Sequence, residues 1–197
     1  MGDCGPVVVN QHNAVVEANA RTTHNSEFQL QLDSDAHRRW KAPFALEFLK
    51  TVSHVDIQKT RSSEDGAVLY KLEVHLQSTN QSDSKSTTAC ETLTSYLLER
   101  SFTDFENLRQ KVHDVVTALP QCPCQYCFDF ILYIRYKFKQ PRSMVKLSTG
   151  VDKRKQILST FVNEFVVMAK RRVQKSGKRK CQAQELVPII LEAFLVP

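Results

Sequence analysis

The chain has 197 residues, 42% of them hydrophobic and 9% aromatic, with only five glycines, which excludes a collagen-like or wholly disordered chain and suits one domain with a tail. The net charge of +6 is unevenly spread: residues 135 to 180 hold fifteen Lys or Arg against Asp152 and Glu164 alone, a local balance of +13. Such a field attracts polyanions, whether phospholipid head groups, nucleic acid or an acidic protein surface, and does not choose among them.

The opening "MGDCGPVVVN" lacks a charged leader with an apolar core, and no stretch reaches the eighteen or so apolar residues that span a bilayer, so the sequence reads as soluble and intracellular. Gly2 suggests myristoylation, but Pro6 stands where that motif wants Ser or Thr. Residues 1–43 are polar and aperiodic and read as a flexible leader, leaving 44–197 as the folded domain. "APFALEFLK" predicts a short helix or an extended approach at the domain start.

Two alternating runs follow. In "SHVDIQKT" Val55 and Ile57 share a face, and in "VLYKLEVHL" Tyr70, Leu72, Val74 and Leu76 do, which predicts two half-buried strands. Asp65-Gly66 between them predicts a hairpin turn. A polar loop leads to a third strand, "TLTSYLLERSF", and then to a helix capped by Thr103 or Asp104, with Phe105, Leu108, Val112, Val115 and Val116 at helical spacing. A second helix is predicted from Phe130, Ile131, Ile134 and Phe138, ending at Pro141; "SMVKLSTG" reads as a loop. Ile157, Leu158, Phe161, Phe165 and Met168 predict an amphipathic helix, "VQKSGKRKCQ" a basic linker, and "ELVPIILEAFL" a closing helix. The order implies an α+β fold, a small three-stranded antiparallel sheet packed against a helical layer.

"RSFTDFENL" resembles the start of the phox-homology (PX) phosphoinositide-binding domain, where the third strand ends in Arg-Arg-Tyr-Ser-Asp-Phe and a Leu follows in the first helix. Arg100, Phe102, Thr103, Asp104, Phe105 and Leu108 fit that pattern, and "RKQILSTFV" is similar to a second family motif through Arg154, Leu158 and Phe161. "FKQPRSMVKL" sits where the family carries a proline-rich basic loop. The resemblance, over roughly residues 50 to 195, implies a membrane-targeting module of the cytosolic face of endosomal or other organelle membranes, with Arg100, Phe102, Lys139, Arg142 and Arg154 as head-group ligands. Phe102 would be the floor under the inositol ring, Arg154 would bond its hydroxyls, and Lys139 or Arg142 would meet the phosphate joined to the lipid. The chemistry suits those residue types, because guanidinium forks grip phosphate oxygens bidentately. One position departs. The family's 3-phosphate arginine directly precedes the aromatic, and here that residue is Ser101. Strand alternation sends Arg100 to the opposite face from Ser101, so it does not simply replace the missing group.

Independently of any family, Met144, Val145 and Leu147, interspersed with Arg142 and Lys146, form a loop suited to insertion, with Met144, Val145 and Lys146 as its tip. Cys124-x-x-Cys127 has zinc-like spacing beside Cys122, but a closed site needs four ligands and no second pair is visible; His113 or Cys90 would have to complete it, and no metal is expected. "KRRVQKSGKRK" lacks the aromatics that stack bases, so nucleic acid is disfavoured as a partner. No enzyme motif occurs and no cofactor is implied. Two readings stand beside lipid binding: a protein-interaction module of the same fold, and a basic nucleic-acid adaptor.

Overall fold

The computed structural model describes residues 36–62, 66–77, 94–171 and 181–197. Two units divide the chain, Met1–Trp40 and Lys41–Pro197. Of the first, only the beginning of helix α1 (36–51) is described. That helix starts earlier than "APFALEFLK", and Ala42, Ala45, Leu46 and Leu49 form its buried stripe. The polar loop after β2 and most of the basic linker lie outside the described residues.

Strands β1 (Val52–Ser62), β2 (Val68–Leu76) and β3 (Thr94–Ser101) form one antiparallel sheet in the order β1-β2-β3. Helices α2 (Phe102–Thr117), α3 (Gln125–Tyr136), α4 (Ser143–Ser148), α5 (Val151–Lys170) and α6 (Ala183–Leu195) follow. This is the α+β arrangement that the pattern predicted. The alternation in β2 works as read: Tyr70, Leu72 and Val74 are fully buried and pair with Arg100, Leu98 and Tyr96 of β3. Gly66 in the first hairpin has φ +73°, a left-handed conformation that favours glycine.

Edge strands need a partner for their outer backbone groups. For β1 that partner is α5. Asn163 accepts from the Val55 N–H at 2.9 Å and donates to the Val55 carbonyl at 2.8 Å, and Ser159 donates to the same carbonyl. Lys155 and Lys170 reach the carbonyls of Gln58 and Val52. The basic residues of α5 are thus partly spent on closing the sheet. Its apolar face, Ile157, Leu158, Phe161 and Phe165, is buried as predicted, and Phe165 meets Phe130 of α3 edge-on at 5.4 Å.

Three local expectations are corrected. The α2 cap is neither Thr103 nor Asp104 but Ser101, whose hydroxyl accepts from the Asp104 N–H while the Asp104 carboxylate accepts from the Ser101 N–H at 2.7 Å. Phe138 does not continue the α3 face; the helix stops at Tyr136 and Phe138 is 78% exposed. "SMVKLS" is helical, and it buries Val145 while exposing Met144 and Leu147. Ser101→Ala should lower stability by about 1 kcal/mol, read as a lower urea midpoint with an unchanged slope; an unchanged midpoint would contradict the capping box.

Candidate functional site

The lipid-contact residues named from sequence lie around the ends of β3, α3 and α4 and the start of α5. Arg100 is the instructive one. It pairs with Tyr70 across the sheet and so faces the helices, with Ser101 opposite Leu69 on the other face. Each of its three guanidinium nitrogens donates to a carbonyl: Nε to Phe194 at 3.0 Å, one terminal nitrogen to Val196 at 2.7 Å and the other to Glu99. It also lies 5.5 Å from the centre of the Phe194 ring. Phe194 and Val196 end α6, where carbonyls have no partner inside the helix and carry its negative pole. A residue expected to hold phosphate oxygens holds carbonyl oxygens instead.

Arg142 does the same at α3. It donates to the Ile134 carbonyl at 2.6 Å and approaches that of Arg135. Beside it, fully buried Gln140 donates to the Tyr133 and Lys137 carbonyls and accepts from Arg109. Burial pulls the Arg109 guanidinium below its ordinary pKa, with the neighbouring Arg142 charge adding to the effect.

Phe102 is 4% exposed, so it is core rather than an open floor. What approaches it is Lys146 of α4, whose ammonium lies 5.8 Å from the ring centre. Val145 is 6% exposed and packs inward, which removes it from the insertion tip; Met144 and Lys146 remain on the outside. Lys139 is exposed, with no hydrogen bond or ion pair among the described residues.

Arg154 emerges from the first turn of α5 next to the Tyr70 hydroxyl, and its Nε, like that of Arg142, is buried without a hydrogen-bond partner among the described residues. Burial raises the Tyr70 pKa and the Arg154 charge partly offsets that rise. Because Tyr70 and Arg100 face each other across β2 and β3, Arg154 approaches the end of the third strand, as the sequence motif implied. An open hollow of about 400 Å³ lies beside Arg100 between α2 and α6, with Asp104, Asn107, Lys111, Ile190 and Phe194 among its walls. Neither Arg154, Phe102, Lys139 nor Arg142 lines it.

The sequence did not single out Tyr136, and it named Leu147 in the apolar loop without placing it in the insertion tip. Tyr136 is 76% exposed, Met144 74% and Leu147 87%, and with Phe138 they ring the junction of α3 and α4. Their signal was present as "RYKF" and as Met144 and Leu147 three residues apart, but only a helical α4 puts those two on one side. The cysteines also come together unexpectedly: Cys122, Cys124, Cys127 and Cys181 have their sulfurs within 4.8 Å of one another. Neither His113 nor Cys90 is needed, and Cys90 lies outside the described residues.

No family model, curated protein or solved structure matches this chain. Arg100→Ala should cost about 1–2 kcal/mol of unfolding free energy through the lost carbonyl bonds, whereas Arg154→Ala should change it by less than about 0.5 kcal/mol. Urea denaturation of both variants checks this, and equal effects would contradict the division of roles.

Proposed function

We propose that this chain is a membrane-targeting module of the PX type that attaches to anionic, phosphoinositide-containing surfaces chiefly by charge and apolar insertion. Arg154 is its remaining head-group ligand. The observation that carries this reading is the rim at the α3–α4 junction, where Tyr136, Phe138, Met144 and Leu147 stand in solvent amid Arg135, Lys139 and Lys146.

A folded domain has little reason to expose four large apolar side chains so fully in one short stretch unless they meet an apolar phase. Burying each in the head-group boundary contributes about 1.5–3 kcal/mol, less where burial is partial. Each exposed cation near an anionic surface adds about 1 kcal/mol. The two terms together support stable attachment without a stereospecific pocket. Ser101 favours the same balance, since it is spent on the α2 cap and has no cationic group to offer a 3-phosphate. The natural setting of such a module is the cytosolic face of endosomal or other organelle membranes.

The protein-interaction reading draws on a different feature, the partly exposed Phe128 and Leu132, which continue toward Tyr136 at helical spacing along α3. Vesicle co-sedimentation distinguishes the two. Binding should grow with the fraction of anionic lipid, weaken with salt, and differ little among phosphoinositides compared at matched charge. Met144→Asp combined with Leu147→Asp should reduce it at least tenfold. Equal binding to neutral vesicles, absence of binding to any vesicle, or binding only to a 3-phosphorylated lipid at matched charge would each overturn the proposal.

A further inference from the structure

We propose that Cys122, Cys124, Cys127 and Cys181 form a structural zinc site that fastens the start of α6 to the start of α3. The site is independent of the membrane-binding reading.

Three of the thiols come from one short segment. Cys122 lies in the loop before α3, Cys124 is the residue that caps the helix, and Cys127 stands in its first turn. The fourth arrives from far along the chain. Cys181 follows the basic linker and precedes α6, yet its sulfur is 3.5 Å from both the Cys124 and Cys127 sulfurs. A tetrahedral zinc with bonds of about 2.3 Å to four thiolates has sulfur–sulfur edges of about 3.8 Å. Four sulfurs within 4.8 Å of one another, two of the contacts at 3.5 Å, are already close to that figure.

Thiols do not gather in this way for packing alone. The S–H group is a weak donor, and a cluster of four offers little beyond ordinary apolar contact. Disulfides would bring sulfurs to about 2.05 Å in pairs, whereas all four cysteines are free here. Cys124 and Cys127 are buried, and Cys122 and Cys181 are half-buried, which gives a closed site with one accessible side for entry of the ion.

The surroundings match the charge of the occupied state. When Zn²⁺ binds, the four thiols release four protons and the site becomes Zn(S–Cys)₄ with a net charge of −2. The cluster sits at the amino-terminal ends of both α3 and α6, the positive poles of those helices. Among the described residues the cluster contains no carboxylate or imidazole, and an all-sulfur set selects zinc over harder cations.

The test uses the full chain, expressed with zinc in the medium and purified under reducing conditions without chelator. Elemental analysis should find one zinc per chain. Chelator-stripped protein should take up one equivalent of Co²⁺ and show the absorption of a tetrahedral four-thiolate site. Its melting temperature should rise when Zn²⁺ is restored. Cys181→Ser should abolish stoichiometric zinc, while Cys90→Ser should keep it. If Cys181→Ser fails to fold, the cobalt spectrum of the unsubstituted chain still decides. Protein with no zinc and no cobalt uptake overturns the proposal, whether its six cysteines are all free thiols or four of them are lost to disulfides.

Discussion

Guanidinium groups bonded to the open carbonyls at helix C-termini organise this domain. The last carbonyls of a helix have no internal partners and carry its negative pole, so a buried or half-buried end requires a donor. Arg100 supplies it for α6 and Arg142 for α3, the latter together with Gln140 and Arg109. Through Arg100, the third strand holds the carboxyl end of the last helix, and Phe194 of that helix packs against Phe105. The arginine joins two elements that are far apart in sequence.

That assignment shapes the functional surface. A guanidinium committed to three carbonyls reaches an anionic ligand only by giving up those bonds, so Arg100 is a poor phosphate receptor while α6 is in place. For the proposed anionic partner there remain Arg154, beside the Tyr70 hydroxyl, and the exposed lysines of the α3–α4 rim. Helix α6 is consequently important at both ends. Its carboxyl end occupies Arg100, and its amino end brings Cys181 to the other three cysteines.

The sheet and the long helices were legible in the sequence because burial there follows simple periods. Val55 with Ile57, Tyr70 with Leu72 and Val74, and the Ile157–Phe165 stripe are each set by one element's own geometry. The site was less legible, since it depends on competition between elements. Whether Arg100 meets a phosphate or a carbonyl is decided by where α6 ends, 94 residues later. Phe102 looked like a platform and is core, because α2 begins at that residue and turns the ring inward. Val145 and Leu147 could not be separated until α4 was helical, which places one inside and the other in water. The fourth cysteine was hidden because zinc-like spacing is a local signal, and Cys181 stands 54 residues beyond Cys127.

The central claim is that Arg100 serves the fold rather than a head group, so that the proposed attachment is a property of a surface. Titration of the isotope-labelled chain with a soluble inositol 1,3-bisphosphate head group, followed by NMR, tests this most directly. Small, non-saturating shifts confined to Arg154 and the exposed lysines are predicted. Saturable one-to-one binding, with the Arg100 guanidinium resonance moving and the α6 carboxyl-terminal amides released, would contradict it.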